Sequence, residues 1–286
     1  MAENLGLLHP GEMGSSVAAS AQSSGHTVFW VSEGRRPQTR ERAERQGLVD
    51  AQSLDGLCRT CSIILSVCPP HAAEEVAQQV AAQGFKGLYV DANAISPQRA
   101  LRIGTVMAER GITFVDGGII GGPAWQPNTT WLYLSGSAAQ QVARCFSAGP
   151  LQVEVMDDQI GRASAVKMCY AAYTKGTTAL LCAVLGAAEG LGVREDLERQ
   201  WERDEAGFAG QAEQRVKRVT AKAWRFAGEM DEIALTFAEA GMPDGFHRAA
   251  AELYRRLAGF KERSTPPSLS EVLVALHDSE GGARIG

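Results

Sequence analysis

The 286-residue chain is poor in the features that mark several large functional classes. Its 28 Lys and Arg are outnumbered by 33 Asp and Glu, for a formal net charge of -5. Surfaces that track nucleic-acid phosphates carry a basic surplus, so nucleic acid is not an expected partner. No apolar run approaches the roughly 20 residues that span a bilayer. The first apolar segment starts within four residues of Met1, leaving no room for a basic n-region, an h-region and a cleavage site. The expectation is a cytoplasmic protein without a membrane partner. No His, Asp or Glu cluster has metal-ligand spacing and no G-x-S-x-G occurs, so neither a metal site nor serine chemistry is expected. Internal repeats and low-complexity segments are missing too.

Cysteine is sparse and scattered: residues 58, 61, 68, 145, 169 and 182 suit reduced thiols in a chain of enzyme size better than a disulfide framework. Cys58-Arg-Thr-Cys61 has redox or zinc spacing, but no second pair or nearby histidine completes it, and two small residues leading into a strand explain it as well. What is present is ordinary for a globular protein: 45% hydrophobic and 21% charged residues, in a chain long enough for two domains.

Strand-like and helix-like segments alternate from residue 3 to about 155, the signature of a parallel sheet with crossover helices. Strands are expected at Asn4–Leu8, Thr27–Val31, Ile63–Val67, Gly87–Asp91, Thr113–Val115, Trp131–Ser135 and Gln152–Met156, and helices at Gly14–Ser24, His71–Gln83 and Pro97–Gly111. After Gly161 no convincing strand remains. Ala163–Leu191 lacks proline and reads as one helix roughly 40 Å long, of the kind that joins domains or builds a dimer. Ser268-Leu-Ser-Glu271 offers a capping box for a last helix through His277, and Glu280–Gly286 reads as a frayed tail. The expected fold is a Rossmann-type doubly wound parallel sheet over residues 1–160, followed by an all-α domain over 161–286.

Leu5 to Gly14 is an apolar strand entering a glycine turn. Such a turn lets backbone approach a pyrophosphate at the free N–H groups of the following helix. Gly11 and Gly14 fill two glycine places of G-x-G-x-x-G, and His9 occupies the first. Candidate cofactor contacts here are His9, Pro10, Gly11, Glu12, Met13 and Gly14. At the end of the second strand an acidic residue would bind ribose hydroxyls and repel a 2′-phosphate. Here Ser32 can donate to such a phosphate and Arg35 and Arg36 can pair with it, which points to NADP. Glu33 argues for NAD if it turns inward.

Further segments follow in order: Leu65-Ser-Val-Cys-Pro-Pro70, Asp91-Ala-Asn-Ala-Ile-Ser-Pro97, Asp116-Gly-Gly-Ile-Ile-Gly-Gly-Pro123 and Gly161-Arg-Ala-Ser-Ala-Val-Lys167. With the glycine turn, this set resembles the β-hydroxyacid dehydrogenases, a group that includes the 6-phosphogluconate and 3-hydroxyisobutyrate dehydrogenases and also looks like the imine reductases. The resemblance covers about the first 175 residues. It implies that Cys68, Pro69 and Asn93 lie beside the cofactor, that Ile120, Gly121 and Gly122 belong to a substrate-binding loop, and that Lys167 is the proton donor or acceptor. Three positions depart from the family pattern: Ile120 replaces a serine, Ala171 an asparagine, and Asn93 a serine. The helical remainder, in particular Arg225–Ile233 and Gly241–Arg248, resembles a subgroup whose C-terminal domain has no well-established role; His9-Pro10 looks typical of the same subgroup.

Helical spacing puts Lys167, Tyr170, Ala171 and Thr174 along one face. Tyr170 can orient or relay a proton where Ala171 leaves a vacancy, or simply pack against the next helix, and Thr174 can hydrogen-bond substrate. Lys175, eight positions from Lys167, lies partly off that face and is a weaker candidate for substrate contact. Trp224, Met230, Asp231, Phe246 and His247 are further pocket candidates, with core roles favoured for Trp224 and Met230. His247 reads equally as a helix-cap residue. These readings amount to an NADP-dependent oxidoreductase acting on a carbonyl/alcohol pair, with imine reduction and a non-catalytic cofactor-binding role as alternatives. The long helix and apolar second half predict a homodimer.

Overall fold

The computed structural model describes residues 2–261, 263 and 265–277. The tail at Glu280–Gly286 lies outside the described residues. The chain divides into two compact units, one ending at Met168 and the other starting at Cys169.

The first unit alternates β1 (Asn4–Leu7), α1 (Glu12–Ser23), β2 (Thr27–Trp30), α2 (Pro37–Arg45), β3 (Val49–Asp50), α3 (Leu54–Thr60), β4 (Ile63–Ser66), α4 (Ala73–Ala82), β5 (Leu88–Asp91) and α5 (Pro97–Glu109). It continues with β6 (Thr113–Gly121), β7 (Thr130–Ser135), α6 (Ala139–Ala143) and β8 (Gln152–Val155). The eight strands form one sheet in the order β3-β2-β1-β4-β5-β6-β7-β8. All neighbours are parallel except β6 and β7. This is a Rossmann-type domain.

The strand order grows one way from β1 through β3 and the other way from β4, so right-handed crossovers send the two sets of helices to opposite faces. Two apolar clusters show the result. Val17, Ala18 and Ala21 of α1 and Ala43 of α2 pack with Leu5, Leu7, Val28 and Trp30 on one face. Leu57, Ala77, Val80, Ile103 and Met107 pack with Ile64 and Tyr89 on the other.

The strand expected at Thr113–Val115 runs on to Gly121, so most of the glycine-rich segment read as a substrate loop is strand β6, antiparallel to β7. Its glycines serve close packing: a Cβ on Gly117 would lie 2.9 Å from the Asp91 carbonyl oxygen. Elements α2, β3 and α3 were not foreseen. Helix α2 buries only Ala43, and both residues of β3 are exposed, so neither carries a strong apolar pattern.

Helix α7 (Arg162–Gly190) starts in the first unit and supplies the first element of the second, followed by α8 (Arg194–Asp204), α9 (Phe208–Glu239), α10 (Gly245–Arg256) and α11 (Leu269–His277). Met230, Ile233, Ala251, Tyr254 and Val272 are fully buried there. The expected capping box forms: the Ser268 N–H donates to Glu271 Oε2 at 2.8 Å, and the Glu271 N–H to Ser268 Oγ at 3.3 Å. Arg263 and Ser268 together hold the Glu271 carboxyl down at about 2. Among the described residues no helix is long and apolar enough to cross a membrane.

Candidate cofactor and active site

The glycine turn is built around one tight contact and one open side. The Gly11 N–H donates to the His9 carbonyl at 2.8 Å. A Cβ on Gly14 would lie 2.4 Å from the same oxygen, so only glycine fits as α1 begins. Gly11, by contrast, would place a Cβ in open space, leaving room for a ligand to reach backbone. No side chain caps α1, so the N–H groups of its first turn are left for a ligand beside the exposed Glu12, while Met13 packs against the core. Pro10 is buried, and its carbonyl accepts from Arg42 Nη1 at 3.2 Å.

His9 turns inward instead of presenting a charge. Its Nδ1 is buried without a partner, and burial, aided by the Arg35 charge, lowers its pKa to about 4. Arg35 also turns inward, donating Nη2 to the Leu8 carbonyl at 3.1 Å, while its Nε has no partner; burial depresses its pKa. Arg36 stays exposed at the start of α2. Ser32 is nearly buried: its N–H donates to Asp50 Oδ1 at 3.2 Å, and its carbonyl accepts from Arg40 Nη2 at 2.7 Å. The two arginines expected to act together thus divide. Arg35 braces the end of β1, and Arg40, which sequence reasoning missed, stands beside Ser32. Arg40 lies one turn into a strongly polar helix, where one more arginine carried no distinguishing signal. Below this loop lies a cleft of about 180 Å³, with Val31, Leu54, Val76 and Val80 as its apolar wall and His9, Glu33 and Arg35 as polar lining.

Asn93 knits the ends of β4 and β5 together. Its Oδ1 accepts the Cys68 N–H, and its Nδ2 donates to Ser66 Oγ at 3.1 Å and Asp91 Oδ2 at 2.8 Å. Both ends of the amide are therefore engaged within the protein. Cys68 and Pro69 follow β4, and burial, with Asp91 nearby, pushes the Cys68 thiol up to about 12. Asp91 is fully buried. Desolvation raises its pKa to about 7 against the hydrogen bonds from Asn93, and Asp116, its register partner on β6, adds to the rise.

Asp116 fixes the start of α7. Its Oδ2 accepts the N–H groups of Gly161 and Ser164, each at 3.0 Å, and the Ser135 hydroxyl at 3.2 Å; its Oδ1 accepts the Ser164 hydroxyl. Ser135 Oγ in turn accepts the Ala163 N–H at 3.2 Å. The orphan donors of the first helical turn are thus satisfied from β6 and β7. One turn later comes Lys167, and a Cβ on Gly118 would lie 2.9 Å from Lys167 Cβ, so the glycine lets the lysine's backbone sit directly on β6. Ile120 is buried in β6 opposite Trp131, which gives its side chain a core position and not a place in an open loop. Gly121 ends β6 with a positive φ, where a Cβ would meet the Thr129 carbonyl oxygen at 2.2 Å, and the Gly122 carbonyl accepts from Thr130 Oγ1 at 2.7 Å.

The first unit therefore gathers the glycine turn, the end of β2, the β4 and β5 loops and Lys167 at the carboxyl ends of its parallel strands, where open α/β sheets bind ligands. The other candidates belong to the second unit. Tyr170 is exposed, and Thr174 Oγ1 donates back to its own helix at the Tyr170 carbonyl, 3.2 Å away. Lys175 Nζ lies 2.9 Å from Glu229 Oε2 and 4.8 Å from the Phe226 ring centre, with both charged side chains almost buried. This ion pair occupies the ammonium expected to meet substrate. His247 is 6% exposed, its ring 4.2 Å from that of Phe237, and burial lowers its pKa. Its position is one of aromatic packing. Among the described residues no His, Cys, Asp and Glu group is arranged to hold a metal ion.

Comparison with known proteins matches residues 4–148 to the NAD binding domain of 6-phosphogluconate dehydrogenase and residues 188–257 to a domain of unknown function. An uncharacterized 28.5 kDa protein of Methanothermus fervidus is 30% identical over 165 residues, 58% of this chain and 63% of the relative, so the match spans less than two thirds of that protein. A conserved protein of unknown function, described as structurally similar to 3-hydroxyacid dehydrogenases, is 28% identical with a TM-score of 0.64, covering 91% of this chain and 100% of its own. The 3-hydroxyisobutyrate dehydrogenase of Mycobacterium tuberculosis, solved with L-serine, aligns at a TM-score of 0.69 and 18% identity over 97% of this chain and 100% of its own. A reductive aminase from Aspergillus terreus, in complex with NADPH and ethyl levulinate, aligns at 0.55 and 18% over 96% and 99%. The last two share the fold.

Proposed function

Since the chain belongs to the family defined by the NAD binding domain of 6-phosphogluconate dehydrogenase, we propose that it is an NAD(P)-dependent oxidoreductase acting on a hydroxyacid-like carbonyl/alcohol pair. The observation that carries this reading is the placing of Lys167 on β6 by Asp116 and Gly118, at the same strand ends as the open, uncapped glycine turn. That turn fits a dinucleotide: Gly11 leaves the space a Cβ would take, and the uncapped start of α1 offers N–H donors to a pyrophosphate. Val31, Leu54, Val76 and Val80 form an apolar wall suited to an adenine. A bound nicotinamide supplies or accepts the hydride. Lys167 moves the proton at the substrate oxygen, and the grip of Asp116 on the first turn of α7 fixes the backbone from which that side chain extends.

For the cofactor we favour NADP, read by Ser32, Arg36 and Arg40, with Arg35 serving to brace the loop from within. Asp50, which takes the Ser32 N–H, and Glu33 act in the other direction. Imine reduction is the second reading. It is favoured by the exposed Tyr170 phenol, a free-standing proton donor, and by the buried apolar side chains of Ile120 and Ala171 where the related dehydrogenases carry polar groups. Panels of hydroxyacids, ketoacids and cyclic imines, followed at the nicotinamide absorbance, separate the readings. Turnover of hydroxyacids or ketoacids is expected; turnover of imines alone overturns the carbonyl assignment. Absence of any turnover despite tight NADPH binding would leave the non-catalytic alternative.

A further inference from the structure

The first unit holds a second cavity, on the opposite face of the sheet from the cleft beside Val31. It measures about 430 Å³ and is lined by Glu12 and Ser15 of α1, Arg42, Arg45 and Gln46 at the end of α2, and Pro123 and Trp125 after β6. The two helices sit on the α1/α2 face, whereas Leu54, Val76 and Val80 belong to the α3/α4 face. The adenine assigned to the first cleft lies on the other face, and of the candidate cofactor contacts only Glu12 lines this cavity.

Its walls are built and held. Ser16 Oγ donates to the Met13 carbonyl and accepts the Ala124 N–H, each at 2.8 Å, tying the loop that carries Trp125 to α1. Trp125 nevertheless leaves 46% of its surface exposed. Ser15, next to Ser16 but only 1% exposed, has a hydroxyl with no hydrogen-bond partner. A buried hydroxyl without a partner is costly unless something completes it. Neither Arg42 nor Arg45 is paired with a carboxylate among the described residues: Arg42 donates to the Pro10 carbonyl, Arg45 Nε to the Glu41 carbonyl. Two arginines against Glu12 leave the lining with one net positive charge.

We propose that this cavity is a second ligand site for a small planar aromatic anion, a phosphate or carboxylate carried on a ring. Arg42, Arg45 and the Ser15 hydroxyl take the anionic group, and Trp125 takes the ring face. Size agrees, since ligand pockets begin at about 300 Å³. The site goes beyond the oxidoreductase reading and does not rest on it.

The test is a calorimetric titration of the full chain with phenyl phosphate, with and without saturating NADPH, alongside inorganic phosphate. Saturable one-to-one binding of phenyl phosphate that persists with NADPH is expected. Arg45→Gln should weaken it about tenfold through loss of a charge-assisted contact. Trp125→Ala, at a half-exposed position that the fold does not need, should bring phenyl phosphate down to the affinity of inorganic phosphate. Retained NADPH affinity in Arg45→Gln shows that the variant is folded. No saturable binding overturns the proposal. So does complete displacement by NADPH, which would place the probe at the cofactor's own phosphate position, and so does binding indifferent to both substitutions.

Discussion

His9 and Asp91 show how burial, ahead of any neighbouring charge, redirects two residues whose types suggest charge. The His9 pKa falls to about 4 and that of Asp91 rises to about 7. Between about 4 and 6.5 the unfolded chain binds more protons at His9 than the native protein does, so His9 makes stability rise with pH. Between 3.8 and about 7 the native protein binds more at Asp91, so Asp91 makes stability fall with pH. The two slopes oppose over most of that window. His9→Asn removes the first, so the Tm of the variant relative to the parent should improve on going from pH 7.5 to 4.5. An unchanged difference in thermal denaturation at the two pH values would contradict a buried neutral His9. At the same turn, Gly14→Ala sets a Cβ against the His9 carbonyl; it should cost about 1–3 kcal/mol and weaken NADPH binding, as read by nicotinamide fluorescence. Gly11 and Gly14 were legible in the sequence as a pair. Their division into a packing glycine and an open one was not, because it depends on where the His9 carbonyl points.

Among the elements, α7 carries the most chemistry. Its length was legible because no proline or glycine cluster interrupts it, and the observed Arg162–Gly190 differs by one residue at each end from the expected helix. Its anchoring was not legible: Asp116 stands 48 residues before Ser164, and only the sheet brings them together. Asp116→Asn keeps the shape but turns a donor toward donors, so Lys167 should lose its position. The expected outcome is kcat reduced about tenfold or more with NADPH affinity unchanged and a displaced pH profile. A change confined to thermal stability would leave Asp116 a structural residue only. Helix α9 presents the buried Glu229 to Lys175. Glu229→Ala should destabilise by about 3–5 kcal/mol, because it leaves an ammonium buried alone, whereas Lys175→Met with Glu229→Leu together should be close to neutral. Denaturant melts of the single and double variants decide this. Sequence spacing suggested substrate contact for Lys175 because it cannot show a partner on another helix.

At the scale of the molecule, the alternation of strands and helices made the fold class readable in the sequence, and the ordered motifs made the family readable there too. The candidate site carried sequence motifs only within the first unit. The last motif ends at Lys167, so Tyr170, Thr174, Lys175 and His247 rested on helical spacing and composition, which cannot separate a polar contact from aromatic packing such as that of His247 on Phe237. We propose a homodimer on the exposed face of α7, where Tyr173, Leu180 and, just beyond the helix, Leu191 lie exposed, with the Arg215 guanidinium held against Thr177 between the first two. Sedimentation should give twice the chain mass, and Tyr173→Glu with Leu180→Glu should shift it toward one. A monomer in the parent protein would contradict the proposal.

The oxidoreductase account turns on Lys167, and the most direct measurement compares the parent with Lys167→Ala for NADPH affinity and for turnover of the best substrate from the panels. The account predicts equal affinity and a turnover lower by about 10²–10⁴-fold. Undiminished turnover in Lys167→Ala would contradict it.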